Sequence, residues 1–263
     1  MKTPPVLLTD DEGHVILQSV TPQAMADLAA RHRAAEGITM QLLSSAGGQI
    51  ENVYLALPQP VRKPVEAATL RALEGCFTAA HVSRKAGMRD QSQRMNTAIA
   101  AAMGALGGFG GLPTALVELP FSTTLLMRAI IAISTEYGFD PHHEETRRDC
   151  LQIFAAGGPM EADDGADLGF VLARVTLTGV ALNTMLMRIA PRVAAMMGQR
   201  LATRAVPVLG AAAGAATNYA FTQYYQEMAH IYFGLRRMSE DSARPLPELV
   251  EELNALIANK PAP

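Results

Sequence analysis

Apolar positions along the chain recur at helical spacing between prolines and glycines, a pattern that predicts a succession of helices. Thr21-Pro22 reads as an N-cap with proline in the first turn, opening a helix that carries Met25, Leu28 and Ala29 until Gly37 interrupts it. Pro58 and Pro60 punctuate the next segment. From Val61 onward, Val65, Leu70, Leu73, Cys76, Phe77 and Ala80 approximate one helical face, and the charged stretch 84–94 is a connector or helix end. Residues 95–117 carry no charge and culminate in Gly107-Gly108-Phe109-Gly110-Gly111-Leu112-Pro113, a break between helices.

Pro120 to Tyr137 reads as an apolar helix with Arg128 as its single charge, except for Glu136 in its last turn, and Gly138 closes it as a C-cap. Asp140-Pro141 then supplies a fresh start for a helix over Glu144 to Ala156. An acidic loop follows from Gly157 to Gly165. Leu168 to Met187 is apolar nearly all round, so it must be buried in protein or lipid. Pro191 and Gly198 punctuate an arginine-bearing helix, a second uncharged run covers Ala205 to Gln226 and continues to Tyr232 and Phe233, and Pro247 to Ala258 forms a short terminal helix. Period-two alternation is confined to a short piece at His14 to Gln18. The fold class is therefore all-α: a compact multi-helix domain with two Gly/Ala-rich apolar helical segments.

Composition sharpens this picture. Hydrophobic residues make up 49% of the chain, aromatics only 5%, and tryptophan is absent. The core must then be filled by Ala, Leu, Ile, Val and the 14 Met, which suits close helix packing. Cys76 and Cys150 stand far apart in a chain with ample apolar material, which argues against a disulfide framework and for a reducing compartment. The N-terminus reaches Asp10, Asp11 and Glu12 without the apolar run of a secretory signal, so a cytoplasmic location is expected.

The formal net charge of −3 conceals blocks. Residues 136–167 hold nine acids against two arginines, whereas residues 168–226 hold Arg174, Arg188, Arg192, Arg200 and Arg204 and no acid. Such a distribution offers a basic face to phosphate or anionic lipid; alternatively, the two blocks face each other within the fold.

Several catalytic signatures are missing. No Gly-Lys pair exists for a P-loop, Gly108-Phe109-Gly110 lacks the third glycine of a dinucleotide loop, and neither a nucleophile elbow nor a zincin motif occurs. His142-His143-Glu144-Glu145 with Asp149 offers metal-ligand types, but adjacent helical residues point about 100° apart, and acids at a helix start complement its dipole without any metal. No metal and no cofactor is expected. Cys76 and His81, five apart, miss a shared helical face.

Three features remain. Gly104/Gly108, Gly107/Gly111 and Gly210/Gly214 repeat every four residues, making flat helical stripes for close packing between helices or in a membrane. Gly210, Gly214, Asn218 and Thr222 share one stripe, where the Asn218 amide needs a partner, either a neighbouring backbone group or a ligand. Glu118, between Val117 and Leu119-Pro120, must be paired with Arg128 or another arginine, protonated, or exposed to a cleft, at what reads as a helix break.

The run Gly104 to Pro113, then Glu118-Leu119-Pro120, Arg128 and Tyr137-Gly138-Phe139-Asp140, resembles the central signature of the EcsC family of bacterial proteins. Val206 to Gly214 with Asn218, Ala229 and Phe233 resembles that family's second signature, in the expected order. Glu118 stands where the resemblance leads one to expect aspartate. The resemblance spans roughly residues 50–240 and implies a helical protein, soluble or membrane-associated, with no assigned biochemical activity. It organises the chain as an N-terminal helical lead-in (1–45), an EcsC-like helical domain (46–240) and a C-terminal helix and tail (241–263) within one structural domain.

The functional expectation is a non-enzymatic protein, peripheral at the inner face of the membrane. It would bind an anionic membrane surface or a lipid-like ligand through Gly107, Gly108, Gly110, Gly111, Glu118, Arg128, Gly210, Gly214 and Asn218, with Arg188, Arg192, Arg200 and Arg204 facing the membrane. A membrane-protein partner fits the same surface, and no nucleic acid is expected. The competing readings are a lipid or phosphoester hydrolase using Glu118, and a soluble protein-interaction module whose apolar runs are simply its core. Residues 95–117 and 205–226 have membrane-spanning length, but their Gly/Ala content makes them weak spans.

Overall fold

The computed structural model describes residues 20–45, 75, 98–99, 101–102, 111–155 and 207–258. Among these residues there are five helices longer than one turn and no strand, as the all-α reading requires: α1 (Pro22–Ser45), α2 (Gly111–Glu136), α3 (Glu144–Ala155), α4 (Pro207–Ser242) and α5 (Leu246–Ala258).

The 36-residue α4, about 54 Å long at 1.5 Å per residue, is the axis on which the other four pack. Its Phe221, Tyr225, Tyr232 and Phe233 are among the largest fully buried side chains, and they meet Met25 of α1, Leu126, Met127, Ile130 and Ile133 of α2, and Leu151 and Phe154 of α3 in one core. In α5 the buried positions Leu246, Leu249, Val250 and Leu253 fall on one helical face.

Cross-contacts fix the directions. Arg31 bonds Glu227 at 2.9 Å while Leu28 lies beside Gly234, so α1 runs antiparallel to α4. Asp149 meets Arg236 and the Phe154 carbonyl accepts from Tyr225, so α3 is antiparallel to α4 as well. A tight turn joins α2 to α3, Tyr137 at its start touches His230, and α2 packs along both α3 and α4; α2 therefore runs parallel to α4.

The caps follow the sequence. The Thr21 hydroxyl accepts the Ala24 N–H at 3.1 Å with Pro22 as the first helical residue. Gly138 adopts φ 78°, the left-handed conformation that closes a helix and that glycine adopts without strain. α3 opens at Glu144 as expected, but Asp140 does not cap it. The Asp140 carboxylate accepts the His142 N–H and its carbonyl the His143 N–H, while the first helical bond of α3 runs from Arg147 to the His143 carbonyl.

Two expected breaks are absent. α1 runs through Gly37 to Ser45: the glycine is exposed, its propensity penalty is only about 1 kcal/mol, and buried Ala35 and half-buried Ile38 keep the turn packed. α2 begins at Gly111 and runs through both Pro113 and Pro120. Pro113 is the third helical residue, where the missing N–H had no partner to lose, and Pro120 forfeits one bond, to the Leu116 carbonyl, in a helix held by packing on α4. Glu118 accordingly sits inside a helix and not at its break.

The strand-like piece at 14–18, the face from Val65 to Ala80, the Cys76/His81 spacing, the acidic loop at 157–165 and the apolar stretch 168–187 lie outside the described residues, Gly75 excepted.

Candidate functional site

The parallel pairing of α2 with α4 brings Gly111, the described end of the first glycine-rich run, to the same end of the described helices as Gly210 and Gly214. From the level at which Tyr137 meets His230, a rise of 1.5 Å per residue carries Glu118 back about 28 Å along α2. Gly214 lies back about 24 Å along α4 and Gly210 about 30 Å, in the same direction. The antiparallel α1 sends its C-terminal part toward the same end. Three chain stretches meet there, 37–45, 111–127 and 207–226, and Glu118 is their only charged residue. Phe121 is 62% exposed and Tyr219 50% exposed at this pole, whereas Asn218 is buried and Thr222 donates to its carbonyl at 2.8 Å. No helix among the described residues is long and apolar enough to cross a membrane.

Charge gathers at the opposite pole. Arg236 is buried and stands amid three acids: Asp149 at 2.5 Å, Glu240 at 3.0 Å and Glu145 at 3.7 Å. Its guanidinium lies 4.1 Å from the centroid of the Phe139 ring, and the Tyr232 hydroxyl donates to the other Asp149 oxygen at 2.6 Å. Both oxygens of the buried carboxylate are thus satisfied, which is what allows a charge pair to exist in an apolar core. Arg237–Asp241, Arg148–Glu144 and Arg244–Glu252 add half-exposed pairs around it.

Between the poles lies a neutral polar contact. His230, fully buried, places Nδ1 3.2 Å from the Tyr137 hydroxyl, with the two rings edge to face. Burial, aided by nearby Arg31, pushes the His230 imidazole down to about 3, and burial holds the Tyr137 phenol above the ordinary tyrosine range. Both groups are neutral at physiological pH, so this is a hydrogen-bonded packing contact and not an acid/base pair poised for catalysis.

The segment Tyr137-Gly138-Phe139-Asp140 now has a physical account. Tyr137 bonds His230, Gly138 supplies the left-handed turn, Phe139 packs on Phe233 at 5.5 Å between ring centroids and carries Arg236, and Asp140 ties the following turn. It is the corner that sets α2 parallel to α4.

Of the residues singled out in the sequence, Gly111, Glu118, Gly210, Gly214 and Asn218 fall toward this one end as backbone positions, and Arg128 lies half-buried ten residues along α2 from Glu118. The side chain of Glu118 lies outside the described residues, as do Gly107, Gly108, Gly110, Arg188, Arg192, Arg200 and Arg204. His142 and His143 are exposed while Asp149 turns inward to Arg236, so the histidines and that aspartate are not brought together. Sequence reasoning did not find the Arg236 cluster or the Tyr137–His230 contact. The available signal was the apolar run Tyr232-Phe233-Gly234-Leu235 directly before Arg236-Arg237, which reads equally well as a helix end leaving the core.

The described residues form a helical array built on one long central helix, in which Glu118 is the only charge of the stretches 37–45, 111–127 and 207–226 and an ion-pair cluster surrounds Arg236 toward the other end. The chain belongs to the EcsC protein family, whose family model matches residues 56–238. No curated protein and no solved structure matches it.

Proposed function

We propose that this EcsC family member is a non-enzymatic, amphitropic protein that binds anionic membrane surfaces reversibly through the glycine-rich pole. The observation that supports this reading is the segregation of charge: the described stretches 37–45, 111–127 and 207–226 hold Glu118 alone, while the ion pairs of α3, α5 and the C-terminal part of α4 lie toward the other end and Arg31–Glu227 lies between. The five arginines of 168–226 immediately precede α4 in the chain and carry no compensating acid. A basic residue near an anionic surface contributes about 1 kcal/mol, and a Leu-sized side chain removed from water about 1.5 to 3 kcal/mol. Three such arginines and one or two apolar side chains give attachment that is useful and reversible, at the inner face of a membrane.

Co-sedimentation with liposomes tests this. Binding to strongly anionic vesicles should weaken as salt shortens the Debye length from about 10 Å at 0.1 M to about 3 Å at 1 M, and should vanish on neutral vesicles. A protein left in the supernatant with anionic vesicles at low salt overturns the reading.

A further inference from the structure

Glu227, His230 and Gly234 follow one another at offsets of three and four, so they share one stripe of α4. α1 covers both ends of that stripe. Arg31 bonds Glu227 at 2.9 Å, and Leu28 Cδ2 lies 3.0 Å from where a Cβ on Gly234 would stand. His230, between the two, is therefore roofed by α1, and α2 supplies another wall through the Tyr137 hydroxyl, 3.2 Å from Nδ1. The imidazole is fully buried. The groups around it that carry or could carry charge come from three helices. α1 presents Arg31; α4 itself presents Glu227, already engaged by Arg31; α2 presents the neutral Tyr137 phenol, with Glu136 beside it in the chain. A proton on His230 places a second cation beside Arg31, inside the contact that holds α1 down.

We propose that His230 is an acid-operated latch for α1: its protonation releases α1 from α4 while α2, α3 and α4 stay packed together. Lifting α1 uncovers the stripe and lets the imidazole meet water. The covered imidazole, pushed down to about 3 by burial first and Arg31 second, refuses a proton that an uncovered one accepts near 6.5. Because the covered value is the lower one, docking of α1 is at full strength above pH 6.5 and weakens below it, by up to about ten-fold in the docking equilibrium per pH unit. The other helices are joined by contacts without an imidazole or carboxylate. Phe154 of α3 stacks on Tyr225 of α4 and its carbonyl accepts the Tyr225 hydroxyl, and Phe139 packs on Phe233. α1 also lies outside the matched residues 56–238, so its departure leaves the shared region whole.

Hydrogen–deuterium exchange of the full chain at pH 7.5, 6 and 5, read by mass spectrometry and expressed relative to the intrinsic rate at each pH, tests the latch. Protection of residues 22–38 should fall by about ten-fold between pH 6 and pH 5, while that of 126–136, of α3 and of 221–236 holds. His230→Gln, which keeps a hydrogen-bonding side chain but takes up no proton, should give α1 the same protection at all three pH values. His32→Gln removes the buried histidine next to Arg31 and should leave the wild-type slope. If α1 and the other helices lose protection together, the acid response is global unfolding and there is no latch. If α1 protection does not change with pH, or if His32→Gln flattens it, His230 is not the sensor. Wild-type exchange alone decides whether α1 opens by itself, so a variant that folds poorly leaves the proposal open to refutation.

Discussion

Arg236 and Asp149, 87 residues apart in the chain, form an ion pair buried almost completely, with side-chain exposures of 7% and 3%. A pair of this kind is worth little relative to a hydrophobic isostere, but breaking it strands a charge. Asp149→Ala and Arg236→Met should each lower stability by about 3 to 5 kcal/mol in urea unfolding. The double variant Asp149→Leu/Arg236→Met should recover much of that loss. Glu145→Gln, whose partner distance is 3.7 Å and whose side chain is half-exposed, should change stability by less than about 1 kcal/mol.

His230 makes stability depend on pH. Its native imidazole is pushed from 6.5 to about 3 by burial first and Arg31 second, so below pH 6.5 the unfolded chain binds a proton that the native chain refuses. The stabilisation is therefore complete above pH 6.5 and is lost as pH falls toward 3, by up to about 1.4 kcal/mol per pH unit. His230→Gln removes this dependence. Urea melts at pH 7.5, 6 and 5 should show the wild-type advantage over the variant shrinking with acidity, and a constant difference would refute the assignment.

Gly234 is where α1 approaches α4 closely. A Cβ there would lie 3.0 Å from Leu28 Cδ2 and 3.6 Å from the Tyr137 hydroxyl. Gly234→Ala gains about 1 kcal/mol of helix propensity against a contact Leu28 relieves by moving a few tenths of an ångström, so its net effect should be small. Gly234→Leu should cost about 1 to 3 kcal/mol by overpacking, seen as a lower melting temperature.

Ala243 adopts φ 54° immediately after α4, a left-handed conformation that costs a non-glycine residue about 1 to 2 kcal/mol. The turn persists because Ser239 donates to the Arg244 carbonyl at 2.7 Å and the Ser242 hydroxyl accepts the Arg244 N–H at 3.3 Å. Ala243→Gly should raise stability by about 1 kcal/mol, after subtraction of glycine's larger unfolded-state entropy. A lower melting temperature would show that the turn is not strained.

What could be read from the sequence was local. Thr21-Pro22, Tyr137-Gly138 and the starts of α3 and α5 are each encoded within about four residues, and the burial of Asn218 follows from one helical stripe. Gly37 and Pro120 misled because packing on α4 outweighs a penalty that would end an isolated helix, and Pro113 because it falls in the first turn, where its missing N–H costs no bond. The parallel course of α2 and α4, and with it the placing of Gly111 at the same end as Gly210 and Gly214, depends on contacts such as Tyr137–His230, separated by 93 residues, which leave no periodic trace.

The packing of Leu28 over Gly234 also bears on where the family's boundary falls. Gly234 lies within the matched residues 56–238, but Leu28, the rest of α1 and all of α5 lie outside them. A shared ancestry region and a self-sufficient folding unit are therefore different lengths of chain here. A polypeptide trimmed to the shared region would carry the flank of α4 naked into water and should aggregate, and any relative built without these two helices must shield that flank with other material.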